Sequence, residues 1–172
     1  MRLVVENGQG LSDATSYIGE RDAIDYLPSN VIAQWNEMSI DDRVDRLVTA
    51  SQFIDASFKW AGTQTHFEQG LSFPRKGIIY QGHIVSENVI PKAIKRACVL
   101  ALLHIIHDGI DIFRSSAEAQ VKKEKLAVME TEYFERKSND GAPTLYDDIN
   151  NILRGFYTKP LSGVITAEVL RR

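Results

Sequence analysis

Ile90-Pro91-Lys92-Ala93-Ile94-Lys95-Arg96-Ala97-Cys98-Val99-Leu100-Ala101-Leu102-Leu103-His104-Ile105-Ile106-His107-Asp108-Gly109 is the stretch on which the fold turns. Pro91 suits a first helical turn, where its missing N–H costs nothing. Apolar residues from Ile94 to Ile106 then run nearly all round the helix. Such a helix is buried, in a core or in a subunit interface. Gly109 is expected to stop it. A 172-residue chain has room for one core around such an element.

Upstream, Ser39-Ile40-Asp41-Asp42 resembles a capping box. Ile40, Val44, Leu47, Val48, Ile54 and Phe58 follow at helical spacing, which predicts a helix ending near Gly62. Two shorter helices are expected before it. One runs from Glu20 to Leu27 and is ended by Pro28; the other is capped by Ser29 or Asn30 and carries Trp35. Residues 63–88 hold no sustained period and carry Gly70, Pro74, Gly77 and Gly82, so they read as a long ordered loop. Downstream, Val128, Thr131, Tyr133 and Phe134 favour a small β segment at about 121–136. A last helix is expected after Thr144, with Leu145, Ile149, Ile152, Leu153 and Phe156 on one side.

The expected fold is therefore mainly α, a helical bundle core with a long ordered loop, a small β segment and an extended C-terminal arm. Residues 1–156 read as one domain and 157–172 as the arm. Tyr157, Lys159, Leu161, Val164, Ile165, Val169, Leu170, Arg171 and Arg172 give the arm its apolar and basic character. It either docks on a partner or packs against its own domain.

Composition limits the function classes. No apolar stretch approaches the roughly 20 residues that span a bilayer, and Met1 to Glu6 does not read as a signal peptide, so a cytoplasmic start and no membrane partner are expected. The single Cys98 lies amid aliphatics and reads as an inert thiol. Net charge is −3, with −5 in residues 1–60 and +2 in the rest. That asymmetry suits either head-to-tail packing of copies or two ordinary solvated surfaces.

No cofactor, metal or catalytic site is expected. His104 and His107 read as residues closing a helix rather than as ligands, and Asp41-Asp42 and Asp147-Asp148 as helix-start acids. Phosphate-loop, dinucleotide and nucleophile-elbow motifs are absent from the sequence. Three basic clusters could contact DNA or a partner: Arg75-Lys76; Lys92, Lys95 and Arg96; and Lys122, Lys123 and Lys125. Trp35, Trp60, Phe73 and Tyr80 are the rings that could stack on bases. Salt bridges to an acidic neighbour explain the same charges.

Five segments in order carry a resemblance. They are Val5-Glu6-Asn7-Gly8-Gln9-Gly10-Leu11 with Ser16-Tyr17; the acidic Ala23 to Tyr26; Ala50-Ser51-Gln52-Phe53-Ile54-Asp55 running into Trp60-Ala61-Gly62; Gln69-Gly70-Leu71-Ser72-Phe73-Pro74-Arg75-Lys76-Gly77; and Ile90-Pro91-Lys92-Ala93-Ile94. Together they resemble the phage and prophage family known as DnaT-like single-stranded-DNA-binding proteins, over roughly residues 4–134. Phe73 stands where that family often has Trp, and Ala127 where it often has Gly.

The resemblance implies two functions. The first is a structural virion protein, a head–tail connector or adaptor subunit placed among head-completion genes. It would form a homo-oligomeric ring, typically of twelve copies, beneath the portal protein. Its arm would reach the portal, a downstream neck or tail protein would follow, and packaged DNA would pass through. Its location would be the virion neck after assembly in the host cytoplasm. The alternative is a single-stranded-DNA-binding replication accessory protein.

Overall fold

The computed structural model describes residues 2–108 and 147–160. The helices are α1 (Glu20–Tyr26), α2 (Ser29–Glu37), α3 (Ile40–Ser57), α4 (Lys92–Asp108) and α5 (Asp147–Leu153). Between α3 and α4 lie β1 (Phe58–Trp60), β2 (Thr63–Gln64), β3 (Arg75–Lys76), β4 (Ile79–Tyr80) and β5 (His83–Ile84); β6 (Tyr157–Pro160) follows α5. The described chain is mainly helical, with small antiparallel strand pairs β1–β6, β2–β3 and β4–β5.

The apolar run around Ile94 forms α4 as its pattern predicts. Pro91 accepts at its carbonyl from Ile94 and Lys95 N–H and so starts the helix. Ile94, Ala97, Cys98, Ala101, Leu102 and Ile105 are fully or almost fully buried between α3 and α5. Each large aliphatic side chain buried this way contributes roughly 1.5–3 kcal/mol. Trp35, Tyr17 and Phe73 complete the core. α3 begins as expected, with Ser39 Oγ accepting from Asp42 N–H at 3.1 Å and donating to Asp42 Oδ2 at 2.7 Å.

Three sequence expectations change, and the start of the expected arm takes the second of its two alternatives. α3 stops at Ser57 rather than near Gly62, because Phe58–Trp60 pairs with β6, about a hundred residues on. Local periodicity carries no sign of so distant a partner. The loop at 63–88 contains two short ladders, each strand only two residues long and too brief to show a period. The cap of α2 is Pro28, not Ser29 or Asn30. The expected arm begins with β6, whose Tyr157 ring lies 4.7 Å from Phe58 of the same chain. The β segment at 121–136, the Gly109 stop, the Thr144 cap and residues 161–172 fall outside the described residues.

Candidate nucleic-acid interface

The motif residues are occupied in holding the fold. Glu6 is buried, and its carboxylate accepts from the N–H groups of Gly8 and Gly10 at 2.9 Å and Leu11 at 2.8 Å. Gly8 has positive φ and faces the Asn88 carbonyl so closely that a side chain would collide with it. The opening motif is thus a carboxylate-centred loop. Deeper in, Tyr17 O–H donates to Asp55 Oδ1, and Tyr17 Oη accepts from Phe73 N–H at 3.0 Å. Asp55 Oδ2 accepts from Ser72 N–H at 2.9 Å. Burial pushes the Asp55 carboxyl up to about 6, against the pull of its bonds to Tyr17 and Ser72. Burial and the neighbouring Asp55 raise the Tyr17 phenol. Gln69 donates to the Leu71 and Pro74 carbonyls at 2.7 and 3.1 Å.

Arg75 belongs with this scaffold. Its Nε donates to the Ala61 carbonyl at 2.7 Å, Nη1 to Ser72 at 3.1 Å and Nη2 to Gly62 at 2.8 Å. Three of the five guanidinium N–H groups are thus taken by backbone carbonyls, which fixes the side chain in place. Its neighbour Lys76 is exposed, with no side-chain partner among the described residues. Arg75-Lys76 therefore divides into a clamp and a free cation.

The α4 cluster divides too. Lys95 Nζ binds Asp22 Oδ1 at 3.0 Å. Lys92 and Arg96, four apart on α4, are exposed without polar partners among the described residues. Lys122, Lys123 and Lys125 lie outside the described residues, as do Leu161, Val164, Ile165, Val169, Leu170, Arg171 and Arg172. Of the rings expected to stack on bases, Trp35, Trp60 and Phe73 are core residues. Tyr80 is half-buried and stacks on Phe156 at 4.4 Å. Cys98 is buried, and its thiol is pushed well above the ordinary range. His104 Nε2 meets Asp148 Oδ2 at 3.2 Å. This tie between α4 and α5 gives one of the paired acids a role that spacing alone did not suggest.

The strand pairs bring together residues that the sequence keeps far apart. β1 runs into β2 through Ala61 and Gly62, and Gly62 packs against the Lys76 carbonyl of β3. Ala61 N–H donates to the Phe156 carbonyl, and Tyr80 of β4 covers Gly155 and Phe156 just before β6. Segments 58–64, 75–84 and 154–160 thus pack together as one β region, the β end. They hold five basic residues (Lys59, Arg75, Lys76, Arg154 and Lys159) and no carboxylate. Lys59 and Arg154 are exposed, and the strand register sets Lys159 opposite Lys59. Sequence reading missed Lys59 and Arg154, because neither belongs to a local cluster. The signal was the lack of acids in three separated segments.

A family model described as "Putative DnaT-like ssDNA binding protein" matches residues 1–172. No curated protein and no solved structure matches the chain. The family match overturns the reading as a virion head–tail connector with portal, ring and neck partners, because it favours the single-stranded-DNA alternative.

Proposed function

The chain belongs to the DnaT-like single-stranded-DNA-binding family, and on that premise we propose that it binds single-stranded DNA through the acid-free β end as a non-catalytic accessory protein. The carrying observation is the family match, and the charge of the β end supports it. Phosphates are held by cations that no internal carboxylate neutralises. Lys59, Lys76 and Arg154 meet that condition, with Arg154 making only a 3.4 Å contact to the Asn151 amide.

Fluorescence anisotropy of the full chain with a labelled oligothymidine strand tests the reading. Affinity should fall as salt rises, with a log–log slope of about −0.7 per neutralised phosphate. No binding at low salt, or binding without a salt slope, overturns the proposal.

A further inference from the structure

An open groove of about 160 Å³ lies between α1, α4 and α5, lined by Tyr26, Arg96, Val99, Leu100, Leu103 and Ile152. Positions 96, 99, 100 and 103 share one face of α4 by helical spacing. α5 runs back along α4, since Asp148 meets His104 while Ile152 reaches the groove. The floor is aliphatic. One wall is the Tyr26 ring, from the last turn of α1 and 43% exposed. The rim carries Arg96, with Lys92 one turn earlier. With Asp22 paired to Lys95, Arg96 and Lys92 have no carboxylate partner among the described residues.

An apolar floor, an exposed aromatic wall and rim cations unpartnered among the described residues are the elements of a nucleotide subsite. Bases stack on aromatic faces whatever their identity, and adjoining phosphates take the cations. We infer that this groove is the base-binding subsite of the single-strand path: one nucleobase lies on Tyr26 above the aliphatic floor, while Arg96 and Lys92 hold the neighbouring phosphate. The inference rests on the single-stranded-DNA reading above and adds what the β end lacks. Phosphate contacts alone do not separate single strands from duplexes, whereas a stacking subsite needs an unpaired base. Arg154 stands two residues after Ile152, so the end of α5 links the groove to the β end.

The test uses the full chain and oligothymidine strands with and without one central abasic site. Tyr26→Ala should weaken binding to the intact strand by about fivefold to a hundredfold, the usual range for losing one stacked base. Tyr26→Phe should keep it, because the ring and not the hydroxyl carries the contact. The abasic strand should bind the wild type more weakly than the intact strand, and should bind Tyr26→Ala no more weakly than the intact strand. Arg96→Gln should reduce the magnitude of the salt slope by about 0.7.

Equal binding of Tyr26→Ala and wild type to the intact strand, with circular dichroism showing both folded, overturns the subsite and leaves the β-end proposal standing. So does wild-type indifference to the abasic site. A wild type that binds no single strand at all overturns both readings. If Tyr26→Ala does not fold, the abasic comparison on the wild type decides alone.

Discussion

Residues 20–57 carry eight carboxylates against three arginines, whereas strand segments 58–64, 75–84 and 154–160 carry five bases and no carboxylate. The two regions meet at the end of α3 but handle charge in opposite ways. In the helical region two of the three arginines are paired: Arg43 meets Glu20 at 3.4 Å, and Arg46 meets Asp42 at 3.8 Å one turn away. At the β end Lys59 and Lys76 have no such partner among the described residues. The helical surface keeps an excess of carboxylates that repels an outside anion, whereas the β end leaves its cations open to one. A total charge of −3 conceals this, since it averages the two.

Reversing the open region is the most direct way to break the comparison. A Lys59→Glu, Lys76→Glu, Arg154→Glu variant should lose single-strand affinity by on the order of a hundredfold or more at low salt, with a flatter salt slope. An Asp41→Lys, Asp42→Lys, Asp45→Lys variant makes a charge change of equal size in the helical region and should not weaken binding. If both variants lose affinity alike, the two regions do not differ in function.

Asp55 gives the next largest effect, because its carboxylate ties α3 to Tyr17 and to the Ser72 backbone. Its folded-state value of about 6 lies above the ordinary 3.8. The folded protein therefore takes up this proton more readily than the unfolded chain. The group's stabilising contribution is full below the unfolded value and is lost as pH rises through about 6. At about 1.36 kcal/mol per unit, the stability difference between wild type and Asp55→Asn should shift against the wild type by about 2 kcal/mol from pH ~4 to pH ~7. Urea denaturation at several pH values measures it, and a flat difference refutes it.

Legibility divides along the same line. α4, α1 and the start of α3 were readable because their signals are local: a first-turn proline, a cap and a repeating apolar face. The β end was not, because Phe58–Trp60 becomes a strand only through residues 157–160, and the other ladders are two residues long. The site suffered for the same reason. Sequence clusters picked out Arg75 and Lys95, both held internally, and missed Lys59 and Arg154, which gather only when the strands pair. The motifs that carry the family likeness, such as Glu6 and Gln69, hold loops in place. They identify the fold rather than the binding surface.

Arg75 sharpens this distinction between clamp and contact. Arg75→Lys keeps the charge but loses the fork that reaches Ala61, Ser72 and Gly62 together. It should cost about 2 kcal/mol in denaturation while leaving the DNA salt slope unchanged. A slope that falls with this variant would place Arg75 on the DNA.

The smallest effect belongs to the far side of the comparison. Ser39 caps α3 where Asp41 and Asp42 crowd its first turn. Ser39→Ala leaves Asp42 N–H without its side-chain acceptor, at a cost of about 1 kcal/mol for an exposed cap. The acids themselves favour the positive end of the helix. The acidic cluster is thus accounted for by helix stability alone. Single-strand affinity of Ser39→Ala should match the wild type wherever both are folded. A binding loss beyond that expected from the unfolded fraction would show that α3's acidic end takes part in recognition, and that the two regions do not work separately.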